Sequence, residues 1–494
     1  MRTYKLILSA SLLTAGLLTI SGCKDSTLLE VKPRTAADSQ TALTTPEGFD
    51  AAINGIYDRL QSTALYGRDF LAVSEALSDN AQFTNKSGRL VNENRNVQNA
   101  SFVNWATSYF AINQANLVLD NIPKVTFAPA DTARRNRFQG QAYFLRALLY
   151  HDLSRAYAYD PGVEVASQSR GGVPIILTGV TDQASITFPA RPAIADVYKQ
   201  IYSDLQSAIA TFTKTNSTAP AYGNLQASQA LFSRVALYNK DYATVVKYAT
   251  DAIAGPIKLS PNASYIGGWR APQNPESLFE VQFAVASENI GVNTSLQTTY
   301  TTLVRTGDRS TTGGFGDLVP TTLGATSFIS DLEAEKSTTG AVLDIRRQLY
   351  ELGTAGRGTA FIETTKFLGK NGTINLDNVP VIRVSELYLN RAEANYFLGN
   401  TTAALADLNT IRTRAGLPTV TLAGDVLLAE IYRQARLEFG FEGHRWFDLK
   451  RTGQNVVKAT AQGGGLAYTD FRILANIPVN ELSTNKSIKQ NFGY

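Results

Sequence analysis

Two stretches of the sequence mix flat aromatic side chains with the amides, carboxylates and guanidinium groups that hydrogen-bond sugar hydroxyls. Residues 77–99 hold Asp79, Asn80, Gln82, Phe83, Asn85, Arg89, Asn92, Asn94 and Arg95, and residues 265–275 hold Tyr265, Trp269, Arg270 and Gln273 beside Gly267-Gly268. An aromatic face can stack on the C–H face of a pyranose while polar neighbours take its hydroxyls. Trp105 and Trp446 sit in helically patterned segments and read as core, so Trp269 is the leading candidate for a stacking platform. The rival reading is that Trp269 plugs its loop onto the body. Phe315, set between Gly313-Gly314 and Gly316, and Arg309 are further candidates.

Catalytic chemistry has less to draw on. The only histidines are His151 and His444, and Cys23 is the only cysteine. A Cys/His zinc site therefore fails on ligand count, an intramolecular disulfide is impossible, and no metal or cofactor is expected. A glycosidase needs two carboxylates roughly 5–9 Å apart. Glu75 with Asp79, or Asp308 with Asp317, are available, but a chain with 42 acidic residues always offers such pairs. Glu442-Gly443-His444-Arg445 reads as a helix start held by ion pairs, not as an acid/base cluster. His151 lies in a strongly apolar helix and reads as packed. The expectation is a protein without catalytic activity.

Cys23 has a different use. Arg2 and Lys5 precede an apolar run from Leu6 to Ile20, which ends Ile20-Ser21-Gly22-Cys23. That is a signal h-region followed by a bacterial lipobox, whose cysteine receives the lipid. Two or three acyl chains give stable anchoring where one is marginal. No later segment is apolar over the ~20 residues that a membrane span needs. The formal charge is +4, and +2 without residues 1–22, so no global field draws in nucleic acid. Of the 494 residues, 44% are hydrophobic and 18% charged, which suits a large core under a polar but sparsely charged surface.

The elements that must position these residues are mostly helices. Thr45-Pro46-Glu47 supplies an N-cap, a first-turn proline and a first-turn acid for a helix carrying Phe49, Ile53, Ile56, Tyr57 and Leu60. Further helices are expected over 102–119 and 138–157, and one opening at Arg191-Pro192. Residues 227–254 and 384–415 read as helical pairs of tetratricopeptide type, with alanines where two helices must approach closely. One such pair cannot bury its apolar face alone, so stacked neighbours are expected. Residues 256–380 are loop-rich, with Phe279–Phe283 alternating like a half-buried strand. The expected fold is mainly α: a tetratricopeptide-like scaffold of helical pairs with long loop-rich insertions and a few short strands. The expected layout is a signal peptide over 1–22, a lipidated tether over 23–44 and one body over 45–494. Within the body, 45–255 is helical, 256–380 is the insertion, and 381–494 is a helical part and tail.

Several motifs in order resemble one family. They include Trp105…Tyr109…Asn116, Tyr143-Phe144-Leu145-Arg146-Ala147-Leu148 and Gly171-Gly172-Val173-Pro174. Then come Arg383-Val384-Ser385-Glu386 with Asn390-Arg391-Ala392-Glu393-Ala394, Ala406-Asp407-Leu408-Asn409 with Arg412-Thr413-Arg414-Ala415-Gly416-Leu417, and Phe441–Arg451. The tail holds Ile477-Pro478, Glu481, Asn485 and Gln490–Tyr494. After a lipobox, this series resembles the SusD/RagB outer-membrane lipoproteins of Bacteroidetes. One departure is Gln434-Ala435, where the family often has Glu-Arg, which puts one structural ion pair in doubt. The resemblance implies a surface-exposed, lipid-anchored outer-membrane protein that binds an oligosaccharide, or in some members a peptide. It also implies a partner, a SusC-like TonB-dependent transporter against which the scaffold packs. The ligand residues come from chemistry and position instead: Trp269, Tyr265, Arg270, Asp79, Asn80, Phe83, Arg89 and Phe315.

Overall fold

The computed structural model describes residues 42–215, 219–322, 327–370 and 373–494. Cys23, the segment 1–22 and most of the expected tether lie outside the described residues.

Ten helices of nine residues or more can be followed along the described chain: α1 (Pro46–Leu60), α2 (Asp69–Leu77), α3 (Trp105–Asn121), α4 (Thr132–Tyr157), α5 (Ile194–Phe212), α6 (Leu225–Tyr238), α7 (Tyr242–Ala254), α8 (Val384–Phe397), α9 (Thr401–Arg414) and α10 (Gly424–Glu438). The Thr45 hydroxyl accepts from the Gly48 N–H at 3.2 Å and starts α1, whose Phe49, Ile53, Ile56 and Leu60 are buried. Helices α3 to α9 then pack in succession, each on the next, and α10 closes on α8 and α9. Alanines at the contacts, including Ala230, Ala236, Ala249, Ala392 and Ala404, are fully buried and let the axes come close. The fold is mainly α, a scaffold of tetratricopeptide-like pairs with short strands.

Some boundaries differ from the sequence reading. Helix α4 begins six residues before Phe138, because its first turns are polar and carry no apolar stripe to reveal them. Phe102 precedes α3 and packs on Phe70 and Phe447. Helix α5 starts at Ile194, after Arg191-Pro192.

The strands form three antiparallel pairs. β1 (Ala81–Phe83) pairs with β3 (Leu318–Pro320), β2 (Ser277–Val281) with β6 (Val379–Arg383), and β4 (Tyr350–Leu352) with β5 (Ile362–Thr364). The expected half-buried strand is β2, and it is buried on both faces. Its polar residue Glu280 does not face water; it accepts from the Ser277 hydroxyl at 2.5 Å and the Asn274 N–H at 3.1 Å. One apolar core runs through these elements from Leu43 to Ile488.

Candidate functional site: a loop-borne cationic and aromatic surface

The pairing of β1 with β3 sets Phe83 opposite Leu318 and so brings the loop after Phe83 against the loop before β3. Thr84 fixes the approach, with its N–H on the Asp317 carbonyl at 2.9 Å and its hydroxyl on the Gly316 carbonyl at 2.7 Å. Asp317 then gathers the Ser87 hydroxyl and the Arg89 guanidinium, the latter at 2.7 Å. Burial raises the Asp317 carboxyl, and Ser87 and Arg89 oppose that rise. Arg89 also donates to the Asn293 carbonyl and lies 4.4 Å from the centre of the Phe315 ring.

The β4–β5 hairpin supplies the other side. Arg357 at its tip is exposed, donates through Nε to the Gly314 carbonyl at 2.9 Å, and stacks 3.9 Å from the Phe315 ring centre. Arg309 donates to the Gly353 carbonyl at 3.1 Å. Lys86 lies 5.3 Å from the Phe361 ring and 3.5 Å from Glu363. Beneath them the buried Glu363 accepts from the Thr302 N–H at 2.6 Å and from the Thr301 and Thr302 hydroxyls. Burial holds its carboxyl above the usual range against those bonds. A Cβ at Gly353 would sit 2.2 Å from this carboxyl group, so only glycine lets the hairpin close over it. On a third side Arg95 lies 4.9 Å from the Phe83 ring, and the Phe83 N–H donates to Gln462.

The result is a set of rings backed by cations on loops fixed from below. The Nη groups of Arg357 and Arg309 have no acceptor among the described residues. Planar guanidinium groups with free N–H edges suit paired hydroxyls or a carboxylate. The nearby Asp308, held at about 2 by its bonds with Ser310 and Arg305, and Glu363 beneath, are committed to the loops themselves.

The structure brings Arg89 and Phe315 into contact here and sets Phe83 on the adjoining β1–β3 edge, but it places the other candidates elsewhere. Trp269 is 1% exposed and lies over a buried ion cluster, with Lys366 at 4.9 Å and Arg383 at 5.3 Å from its ring. No ring face is left for a sugar, so Trp269 is the plug and not the platform. Tyr265 is buried beside it under Arg414, 4.3 Å from the ring centre. Arg270 is spent on the carbonyl and hydroxyl of Thr365. Asp79 holds Arg445 through two bonds of 2.7 Å. Burial would raise the Asp79 carboxyl, yet Arg445 and Arg436 outweigh it and hold it at about 2. Asn80 is fully buried between Glu75 and Arg436. These polar residues lie inside because each finds a charged or amide partner far away in sequence, which no local pattern announces.

The cluster under Trp269 explains the C-terminal motifs. Arg383 meets Glu276 at 3.0 Å, Glu438 at 2.9 Å and Glu442 at 2.8 Å. Arg414 meets Glu276 and Glu438, Lys366 meets Glu442, and Arg346 meets Asp344. Cations and carboxylates balance one for one. Burial would raise Glu438, but Arg414, Arg383, Arg346 and Lys366 hold it well below the carboxylate range. At Gln434, where an ion pair was in doubt, the side-chain Oε1 accepts a hydrogen bond from the Arg346 guanidinium at 2.7 Å. Burial keeps both histidines neutral, His151 edge-on to Tyr238 and His444 stacked on Phe439.

Sequence reasoning missed Lys86, Arg357 and Phe361. The available signal was the glycine-rich turn Gly353–Gly358 between two short β-prone runs. It also missed a cleft of ≈ 220 Å³ lined by Asn54, Tyr57, Asp58, Tyr222 and Gln282, where aromatic and amide groups also meet. Among the described residues no group of His, Cys, Asp and Glu could hold a metal ion, and no helix is long and apolar enough to cross a membrane.

Comparison with known proteins agrees with this architecture. The SusD family model matches residues 359–494, and a second model, described as starch-binding associating with outer membrane, matches residues 27–237. The chain is 22% identical to the SusD-like protein P38 of Formosa agariphila over 100% of both chains. It is 24% identical to the starch-binding protein SusD of Bacteroides thetaiotaomicron, over 81% of this chain and 82% of that one. A solved SusD superfamily protein from B. thetaiotaomicron superimposes with a TM-score of 0.77 at 26% identity, over 91% of this chain and 100% of that one. The chain belongs to the SusD/RagB family.

Proposed function

We propose that this protein captures an oligosaccharide at the outer membrane and hands it to a TonB-dependent transporter, with no chemistry of its own. The observation that carries the reading is the convergence of Arg89 and Arg357 on Phe315, with Arg95 on Phe83 at the adjoining β1–β3 edge, on loops braced by a helical scaffold. Family membership and the starch-binding relative add to it. Aromatic rings orient a pyranose, and the free guanidinium edges take its hydroxyls. The carboxylates weighed for catalysis are spoken for: Glu75 by Asn80 and Gly443, Asp79 by Arg445, Asp317 by Arg89 and Asp308 by Arg305.

The test is calorimetry of the lipid-free body from residue 24 onward, against neutral and acidic oligosaccharides and peptides. A saturable glycan hit without product supports capture. A peptide hit alone, or no hit, overturns the glycan reading and leaves a peptide-binding or purely structural lid. Co-purification of a TonB-dependent barrel tests the partner.

The anchor belongs to the same proposal: residues 1–22 are removed, Cys23 is lipidated, and 23–44 tether the body 45–494 at the cell surface. Cys23→Ala is expected to move the protein from the outer-membrane fraction to the soluble one. Retention in the membrane fraction would refute the anchor.

A further inference from the structure

Arg191 is a largely buried cation without a carboxylate. Its Nε donates to the Gly172 carbonyl at 2.7 Å, and Nη1 donates to Asn491 Oδ1 at 2.8 Å and the Lys489 carbonyl at 3.2 Å. Nη2 donates to the carbonyls of Gly171 at 2.9 Å and Tyr157 at 3.1 Å. All its N–H groups are used on neutral acceptors. Buried arginines elsewhere in this protein, such as Arg146, Arg234 and Arg383, meet carboxylates. Burial pulls the Arg191 guanidinium down to about 10; Tyr109 opposes that fall, and the charge of Arg170 adds a smaller push in the same direction as burial.

Arg191 lines an open cleft of ≈ 610 Å³ whose other lining residues are Ser169, Arg170, Ala190, Ser487 and Lys489. Arg170 uses Nη1 on the carbonyls of Ser167 and Ser169 and rests 5.4 Å from the Phe492 ring. Its Nε and Nη2, the Lys489 ammonium and the two serine hydroxyls have no hydrogen-bond partner among the described residues. Among the described residues none of the three cations forms an ion pair. Asp470 is taken by Arg472, and Glu481 by the Trp105 indole. Glu164 and Asp196 are exposed and make no salt bridge to the cleft. Like charges gathered around one concavity repel, and in a protein of such low net charge the arrangement asks for a counter-charge.

We propose that this cleft is a binding site for one oxyanion group, a sulfate, phosphate or carboxylate. The lining offers donors and positive charge and no carboxylate, which matches a group that has only acceptors. Arg170 and Lys489 supply the contacts, Ser169 and Ser487 add hydroxyl donors, and Arg191 contributes charge while its hydrogen bonds hold the walls together. The site shares no residue with the loop-borne surface and stands whether or not that surface binds a glycan.

The test titrates the body from residue 24 onward with sodium sulfate and sodium phosphate, against sodium chloride at matched ionic strength, followed by amide NMR shifts and melting temperature. Saturable shifts confined to 167–172, 189–197 and 485–492 are expected. Arg170→Gln and Lys489→Gln should each weaken binding about tenfold, with the anion-free melting temperature unchanged. A sulfated or uronate-bearing oligosaccharide is titrated beside its neutral parent. If it binds at this cleft about tenfold tighter than inorganic sulfate, the anion is a glycan substituent; equal affinity assigns the site to the free anion. Chloride reproducing the sulfate response, an unchanged response in both variants, or no response to any of these anions would overturn the site.

Discussion

Arg383 and Arg357 carry the same guanidinium group, stack near aromatic rings and bond to backbone carbonyls, yet they work in opposite settings. Arg383 is buried among Glu276, Glu438 and Glu442, under Trp269, at the junction of β6, α9, α10 and the Phe441–Arg451 segment. Arg357 stands exposed at the tip of a hairpin with one bond to Gly314 and the Phe315 ring behind it. The difference teaches where function can reside. A buried ion cluster must balance internally, because each unpaired charge in a low-dielectric interior costs several kcal/mol. A cation in water carries no such penalty and can keep its hydrogen bonds for a visitor.

Breaking the buried side should cost most. Arg383→Gln takes one cation from three buried carboxylates, leaves the cluster with an excess negative charge, and is expected to lower unfolding free energy by about 3–5 kcal/mol in chemical denaturation. Trp269→Ala opens a cavity over the same cluster, with an expected loss of about 3–5 kcal/mol. If Trp269→Ala weakened glycan binding with the unfolding curve unchanged, the separation between cluster and surface would fail. Asp79→Asn should cost about 2 kcal/mol at neutral pH. The folded Asp79 carboxyl sits at about 2 and its ordinary value is 3.8, so this stability is present above 3.8 and disappears as pH falls toward 2. Wild type and variant should therefore converge in acid, and a gap unchanged at pH 2 would deny the ion pair its role.

Arg357→Ala sharpens the other side. Its stability should stay within about 0.5 kcal/mol of wild type, while glycan affinity falls by about 1–3 kcal/mol. Tyr222→Ala, in the separate aromatic cleft, should leave that affinity unchanged; the opposite pattern would move the glycan to the Tyr57–Tyr222 cleft.

Much of the fold was legible because helices announce themselves locally. The cap at Thr45, the alanine-rich pairs and the apolar run of α4 all appear as elements close to where the sequence places them. The candidate site was legible only in part. Arg89 and Phe315 were identified by residue type and position and do meet, while Phe83 stands on an adjoining side under Arg95. Trp269, Tyr265, Asp79 and Asn80 have the same composition and lie buried, because their partners come from distant segments. Asp79 and Arg445 are 366 positions apart.

The sequence by itself determined the helical scaffold, the near-neutral charge and the order of motifs that marks the family, since each rests on local periodicity, composition or spacing. Only the tertiary structure decided which charged and aromatic residues face inward and which meet the solvent. Burial is a sum over long-range contacts: the β1–β3 and β4–β5 pairings raised Phe315 and Arg357 to the surface, and the meeting of β6, α9 and α10 closed over Arg383.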